Sequence, residues 1–337
     1  MSMLDRLPTD AAKSLERLQP EEEVLSEEEL EEARMLMERR KRNAEAAQRR
    51  REEERAACQS DVSREYFSSG ASVELPGLEN FNETLREQVQ DIEEMYAREY
   101  EDAANEHGVS VEEFKSALQG KVIEMVRASN FFYAVDADTV ESIMNIDGRL
   151  KSQFETGTSK AMLNPGFRSK REAELFGITD DASENPSMRP IYGYFTDGTN
   201  GEINDTGTIP PESALSSYGK VNFKLKRARA LAKATVSFAD SILYEDVQPS
   251  PAMRPHFSSY PAGRAQHIDM VERTSKTEWT SSYTEAQYHG GVTMDDLESI
   301  HISAKNGMSE AEMNAVRQAY DRYMLAHPGS QLTLIEY

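Results

Sequence analysis

The sequence predicts an α+β protein in which a helical N-terminal half precedes a compact, mixed or antiparallel β domain. Two observations support this class. Up to about residue 140, apolar residues recur every three or four positions, which is the period of amphipathic helices. Beyond residue 145, glycine, proline, asparagine and threonine become frequent, and short segments alternate polar and apolar residues as strands do. Helices followed by a run of strands with occasional helices form an α+β arrangement.

The composition limits the classes of partner that we expect. The chain has 337 residues and a formal net charge of −22, so the phosphate surface of nucleic acid is not a predicted partner. No apolar run approaches the ~20 residues of a membrane-spanning helix, and no membrane partner is predicted. The single cysteine, Cys58, excludes an internal disulfide and agrees with a reducing compartment. The N-terminus lacks the apolar core of a secretory signal, so no classical secretion is expected.

Residues 1–60 are predicted to form a charged arm, either helical or disordered. Eight of the twelve residues from 21 to 32 are glutamate, and basic clusters follow at 39–42 and 49–51. Alanine, glutamate and arginine favour a helix, but the apolar positions are too few for a coiled-coil seam. We therefore expect a solvated helix, or a segment that depends on a partner for its order.

A helical segment is predicted at 78–140. One apolar stripe follows a helical period through 81–100. A second helix is expected after Ser110, because Ser110 and Glu113 have the spacing of a capping box. We interpret both stripes as core, without a chemical role.

Residues 141–337 are predicted to form the β-rich domain. Strands are expected at 189–195, 219–225, 234–238, 283–289, 299–303 and 331–335. A helix is expected between the last two, where Ser309 and Glu312 form a capping box. The polar stretches at 196–217 and 245–278 are too long for simple connections, so we predict that they are functional lids or disordered loops.

The strand at 283–289 carries an unusual set of side chains. With a period of two, Glu285, Gln287 and His289 point to one face of this strand. A carboxylate, an amide and an imidazole in line suit a catalytic carboxylate on a rigid strand, with a polar neighbour that holds a ligand. The alternative is an edge strand with one wetted face.

Other catalytic and binding patterns do not occur in the sequence. The six histidines show no metal-ligand spacing, so no metal site is predicted. The sequence contains no phosphate-cradling GxxxxGK[ST], no GxGxxG and no Gly-x-Ser-x-Gly elbow.

Six segments occur together in an order that resembles a known family. They lie at 147–159, 171–177, 189–193, 218–219, 235–241 and 283–290. Together they resemble a bacterial and phage domain similar to ADP-ribosyltransferases, which in phages is fused to, or found beside, minor head proteins of the Mu F type. The resemblance covers residues 140–305, about half of the chain. It implies an ADP-ribosyltransferase-like fold, NAD as the substrate, no metal, and a location in the virion or the host cytoplasm.

The resemblance also implies a role for the strand at 283–289. In these enzymes a glutamate on a late strand stabilises the positive charge that develops on the ribose as the nicotinamide–ribose bond breaks. Glu285 matches this catalytic glutamate. In the family a second Glu or Gln stands two residues before it, whereas here Gln287 stands two residues after it. Either Glu285 acts without that preceding residue, with Gln287 as its neighbour, or the domain binds NAD without turnover.

An early-strand arginine in the family holds a phosphate of NAD, because the planar guanidinium fork suits a phosphate. Arg149 is the favoured match, since it precedes the other segments, and Arg189 is the alternative. A surface salt bridge is the structural alternative for either arginine.

The remaining NAD contacts that the resemblance implies are less closely matched. The Ser-Thr-Ser strand of the toxin group has two partial matches. We prefer Thr158 and Ser159, because they follow the favoured arginine closely, and 237–241 is the alternative. Tyr192 or Tyr194 is expected to stack on the nicotinamide ring, unless these aromatics belong to the core.

The leading function that follows is that of a phage-type mono-ADP-ribosyltransferase which uses NAD to modify an unknown protein. The alternative is a catalytically inactive minor head protein, associated with a capsid or portal. In that interpretation the helical half docks onto phage head proteins or a second copy of the chain. A third interpretation is a toxin whose acidic arm keeps it soluble or inhibited.

Overall fold

Within the residues that the structure, a computed structural model, describes, eight strands form one sheet. The strands are β1 Asn130–Val135, β2 Ile191–Thr196, β3 Val221–Leu225, β4 Ala234–Ser237, β5 Ser250–Pro251, β6 Glu285–Tyr288, β7 Leu297–Ile302 and β8 Thr333–Glu336. Their order across the sheet is β5-β4-β6-β2-β1-β3-β7-β8. Neighbouring strands are antiparallel except β7 and β8, which are parallel, so the sheet is mixed. The predicted α+β class is confirmed.

The structure describes residues 61–69, 73–157, 164–178, 185–196, 218–242, 247–260 and 284–337. The predicted arm at 1–60 lies outside these residues, as do Thr158, Ser159 and most of the two predicted loops at 196–217 and 245–278.

Eight α-helices flank the sheet in the described residues. They are α1 Asp61–Ser68, α2 Phe81–Met95, α3 Ala97–His107, α4 Val111–Ala128, α5 Gln153–Thr156, α6 Pro165–Phe176, α7 Arg227–Lys233 and α8 Glu310–Ala326. The capping boxes predicted at Ser110 and Ser309 are confirmed at the starts of α4 and α8. None of the helices described here combines the length and the apolar character needed to cross a membrane.

The strand β1 lies inside the segment that the sequence predicts as helical, and it is a central strand. Phe131 and Phe132 point to opposite faces of the sheet, and both are fully buried. A strand covered on both faces has no polar and apolar alternation, so its periodicity does not distinguish it from a buried helix. As a result, the helices α3 and α4 share one hydrophobic core with the sheet. Residues 58–337 form one compact unit.

The two faces of the sheet differ in chemistry. One face is apolar and packs on α4 and α8 in the largest hydrophobic cluster, with Phe223 and Tyr288 among its fully buried residues. The opposite face carries the polar residues of β6, where Glu285 pairs with Tyr194 of β2. The helices α2 and α6 lie on this second side, in a smaller apolar cluster that also contacts Tyr192.

Residues 247–260 correct the prediction of a lid or disordered loop at 245–278. They are almost entirely buried and include β5, whose Ser250 pairs with Val236 of β4. The backbone N–H of His256 donates to Ser250 Oγ at 2.8 Å, which fixes the turn between them. Pro251 is compatible with this position, because β5 is an edge strand, where a residue without a backbone N–H is tolerated.

Candidate functional site

The strand β6 is an interior strand, and its polar residues are buried. It lies between β4 and β2, so the interpretation as an edge strand with a wetted face is wrong. Glu285 is 3% exposed, and Gln287 and His289 are fully buried. Buried polar groups of this kind need hydrogen-bond partners. Strand β4 supplies them to Gln287 and His289, whereas Ser241 and Gln287 supply them to Glu285.

A hydrogen-bond network holds Glu285 in place. Ser241 Oγ donates to Glu285 Oε1 at 2.5 Å, and Gln287 Nε2 donates to the same oxygen at 2.5 Å. Thr235 Oγ1 donates to Gln287 Oε1 at 2.7 Å, which orients the amide so that its nitrogen faces the carboxyl group. Ser237 Oγ lies 3.2 Å from the same amide nitrogen. Two donors therefore fix one oxygen of Glu285, and no described residue donates to Oε2.

The surroundings of Glu285 favour its protonated form. Burial raises the pKa of Glu285 to about 8, and the nearby Asp240 carboxyl adds to the rise. The hydrogen bonds from Ser241 and Gln287 and the charge of Arg168 act in the opposite direction. Without a ligand, the carboxyl group is therefore largely protonated near neutral pH. A cationic ligand beside it would favour the charged carboxylate.

A second polar group joins α6 to β2. Tyr192 donates its hydroxyl to Glu172 Oε1 at 2.9 Å, and Arg189 Nη1 lies 3.4 Å from Glu172 Oε2. Glu172 and Arg189 are both buried. Burial raises the pKa of Glu172 to about 7, although Tyr192 and nearby arginines lower it. This group supports the site next to β6, because Tyr192 pairs with Gln287 in the sheet.

The positive charge of Arg168, in α6, acts on both of these polar groups. Its charge lowers the pKa of both Glu172 and Glu285. Its guanidinium carbon lies 4.7 Å from the centre of the Tyr192 ring. The sequence contains no signal for this role, because an arginine four residues before a glutamate on a helix usually forms an exposed pair.

The structure does not bring Arg149 together with β6. Its guanidinium forms an ion pair with Glu155, with Nη2 and Oε1 at 2.5 Å, and within the described ranges no contact joins it to Glu285 or Gln287. Arg149 also lies outside the main strands, in an isolated bridge with Thr293. The first strand of the described sheet, β1, contains no arginine.

The other predicted NAD-contacting residues lie in different surroundings. Thr158 and Ser159 lie outside the described residues. The alternative match at 237–241 is the one that surrounds Glu285, through Ser237 and Ser241. Of the two tyrosines, Tyr194 donates to Asn222 Oδ1 at 2.8 Å and stacks on Phe132, while the ring of Tyr192 is covered on one side by Arg168.

His289 completes the polar row of β6. Its Nε2 lies 3.0 Å from Thr235 Oγ1, and its ring contacts Phe176 edge-on with centroids 5.0 Å apart. Burial lowers the pKa of His289 to about 3, so the ring is neutral. It therefore supplies a dipole and not a charge.

The arrangement suits the stabilisation of positive charge by one buried carboxylate. Ser241 donates to Glu285, and no histidine among the described residues contacts its hydroxyl, so it lacks the pattern of an activated nucleophile. Across the described residues, no group of histidine, cysteine, aspartate and glutamate has the geometry to hold a metal ion.

No protein-family model matches the chain, and no curated protein matches it. Functional conclusions therefore depend on the geometry around β6 and on the order of the sequence segments.

Proposed function

We propose that this protein is a mono-ADP-ribosyltransferase-like enzyme that breaks the nicotinamide–ribose bond of NAD and transfers ADP-ribose to a protein. One observation carries the proposal. Glu285 is buried on an interior strand, and Ser241 and Gln287 both donate to its Oε1, so that Oε2 is left for a ligand. The order of the six segments supports the same reaction.

In this reaction the C1′–N bond breaks, and its electron pair neutralises the nicotinamide. Positive charge then develops on the ribose, and Glu285 stabilises it in the transition state. A lone pair of the acceptor forms the new bond to C1′, neutral nicotinamide leaves, and the acceptor loses its proton to water. A carboxylate already fixed by two donors needs little reorganisation as the charge develops, which is the advantage of a preorganised site.

The positive charge of bound NAD offsets the effect of burial, which raises the pKa of Glu285 in the ligand-free site. The nicotinamide ring of NAD is cationic, and a cation beside Glu285 favours the ionised carboxyl group. Binding of NAD therefore charges the residue that catalysis needs. The glutamate remains largely neutral when the site is empty.

The acceptor and the location follow from the resemblance alone. We propose a protein acceptor in the host cytoplasm or the virion. Phage head proteins are the partners that the same resemblance suggests, and a second copy of the chain bound through the helical half is the alternative.

The proposal is tested by measuring nicotinamide release and by incubating labelled NAD with a host lysate. We expect Glu285→Gln to retain NAD binding and to lower turnover by on the order of a hundredfold. Glu298→Gln is the matched control, because Glu298 is 47% exposed and pairs with Lys224. Wild-type protein that neither releases nicotinamide nor labels any lysate protein would refute the proposal.

A further inference from the structure

Arg168 is a buried arginine whose side chain lacks partners that it needs. The residue is 5% exposed, and in the described part of the chain its Nε and Nη1 atoms have no hydrogen-bond partner. A buried charge is normally paired, and a buried donor without a partner is costly. The site is therefore incomplete in a way that an anion would correct.

The surrounding residues hold the Arg168 guanidinium without satisfying it. Its guanidinium carbon lies 4.7 Å from the centre of the Tyr192 ring, a cation–π contact. The Tyr192 hydroxyl donates to Glu172 at 2.9 Å, which keeps the ring in place. Arg189 lies on the other oxygen of Glu172. Both oxygens of Glu172 thus contact other groups.

Glu285 does not neutralise Arg168 either. Its Oε1 accepts from Ser241 and Gln287, and it forms no ion pair with Arg168 in the described chain. The raised pKa values of Glu285 and Glu172, about 8 and about 7, leave both carboxyl groups only partly ionised at neutral pH, so they neutralise Arg168 incompletely. The nearest carboxyl groups therefore do not replace a ligand.

The other two candidate arginines, Arg149 and Arg189, already have hydrogen-bond partners. Arg149 forms an ion pair with Glu155 through two hydrogen bonds, and Arg189 contacts Glu172 and Ser169. Arg168 also lies in the first part of α6, where Asn164 caps the helix. A helix N-terminus adds positive potential for an anion.

We propose that Arg168 is the anion-binding residue of this site and that it takes a phosphate group of a nucleotide ligand. The inference rests on the proposed function, since it identifies which side chain holds the phosphates of NAD. It assigns this role to a residue of helix α6 and to neither Arg149 nor Arg189. A planar guanidinium with free N–H groups suits the tetrahedral oxygens of a phosphate.

The test is calorimetry with ADP, adenosine and inorganic pyrophosphate on the full chain. We expect wild-type protein to bind ADP and pyrophosphate more tightly than Arg168→Gln by on the order of tenfold or more. Adenosine, which has no phosphate, should bind both proteins equally. Arg168→Lys keeps the charge and loses the fork, so it should recover part of the affinity. Arg322→Gln is the control, because Arg322 is exposed and pairs with Glu141.

A thermal-shift measurement separates binding from a purely structural role. Removal of an unpaired buried charge should not lower the unfolding temperature, so Arg168→Gln is expected to be at least as stable as wild-type protein without ligand. ADP should raise the unfolding temperature of wild-type protein and have much less effect on Arg168→Gln.

Three results would overturn the inference. They are equal ADP affinity in wild-type protein and Arg168→Gln, no binding of ADP or pyrophosphate to wild-type protein, and a loss of ADP binding in Arg149→Gln alone. Its failure is distinguishable from that of the proposed function. ADP binding that depends on Arg168, without any nicotinamide release, would support the inference and refute the enzyme. Nicotinamide release with an unchanged kcat/KM in Arg168→Gln would support the proposed enzyme and refute the role of Arg168.

Discussion

Glu285 is a carboxyl group that is neutral in the empty site, although the proposed chemistry needs its charge. Burial raises its pKa to about 8, and the two donors on Oε1 reduce that rise without abolishing it. The residue thus links the pH of the solution to both activity and stability.

The first prediction concerns the pH dependence of activity. Free enzyme with protonated Glu285 is inactive in the proposed mechanism, so kcat/KM for nicotinamide release should rise with pH and level off above about 8. The dependence of kcat should level off at a lower pH, because bound NAD favours the ionised carboxyl group. Initial rates between pH 5.5 and about 9 would test this expectation. A flat kcat/KM profile would contradict the assigned charge state.

The second prediction concerns stability. The folded pKa of Glu285 is raised, so between its ordinary value of 4.5 and about 8 the folded state holds a proton that the unfolded state has lost. The free energy of unfolding contributed by this group therefore falls as pH rises through that window and is constant above it. Glu285→Gln removes the effect.

Urea unfolding at pH 5 and at pH 9 measures this difference. From pH 5 to pH 9, the free energy of unfolding of Glu285→Gln should increase relative to that of wild-type protein by on the order of 1 kcal/mol or more. Glu298→Gln, an exposed carboxyl group on β7, is the control and should gain much less. An equal gain in both variants would show that Glu285 is not the group responsible.

Among the strands, β4 determines how β6 presents its side chains. Its Thr235 and Ser237 pair with Gln287 and Glu285 in the antiparallel register. Thr235 Oγ1 contacts both Gln287 and His289. A register shift of one residue would turn this hydroxyl to the opposite face, so the pairing of β4 and β6 is part of the site.

The third prediction tests this pairing with Thr235→Val. The substitution keeps the shape and leaves Gln287 Oε1 without its donor, so we expect a loss of about 1–3 kcal/mol in stability. Turnover should fall by roughly tenfold, which corresponds to about 1.4 kcal/mol, as the amide loses its fixed orientation. Thr333→Val on the exposed edge strand β8 is the matched control. Unchanged turnover in Thr235→Val would separate the amide orientation from catalysis.

At Gly193, the strand β2 approaches the backbone of β1 closely, and this approach helps to position Tyr192. A Cβ atom at Gly193 would lie 2.2 Å from the Phe132 carbonyl oxygen and 2.8 Å from the Tyr288 ring. Only glycine fits this position without movement of the strand, which also carries Tyr192.

The fourth prediction is that Gly193→Ala destabilises the protein by about 1–3 kcal/mol or prevents folding. In variants that fold, the displacement of Tyr192 should also weaken ADP binding. The control is Gly120→Ala in α4, where no described atom beyond the helix's own neighbouring backbone lies within 4 Å of the added methyl group. That substitution should stabilise the helix by up to about 1 kcal/mol. Equal unfolding midpoints in the two variants would contradict the close approach.

The folded unit begins near helix α1. The chain divides into residues 1–57 and 58–337. In α1, Ser63 is fully buried, donates to Glu93 and lies 3.2 Å from His256 Nε2. Lys115 forms an ion pair with the same carboxyl group at 3.4 Å. Helix α1 therefore belongs to the core, although it follows the charged arm in sequence.

The fifth prediction compares two truncations. Removal of residues 1–57 should leave cooperative urea unfolding with a similar midpoint. Removal of residues 1–69 exposes Glu93 and Lys115 and takes away a buried hydrogen bond, so stability should fall by more than about 1 kcal/mol. If the shorter truncation already abolished cooperative unfolding, the arm would be part of the folded unit.

The periodicity of the chain was enough to predict most of the elements. The helical stripes appear at α2, α4 and α8, and the predicted capping boxes appear at α4 and α8. The six predicted strands are all found within a few residues of their expected limits. The period of two places Glu285 and Gln287 on one face of the strand. These features depend on neighbours close in sequence, which is why local patterns reveal them.

The sequence therefore determined the α+β class and the face on which Glu285 lies, since both follow from local periodicity and composition. Only the tertiary structure decided which residues meet that face. Ser241 lies 44 residues before Glu285, Tyr192 lies 20 residues after Glu172, and β1 is hidden by burial on both sides. Strand order and helix placement bring these groups together, and both are set by long-range pairing and by packing around a shared core, which no local pattern specifies.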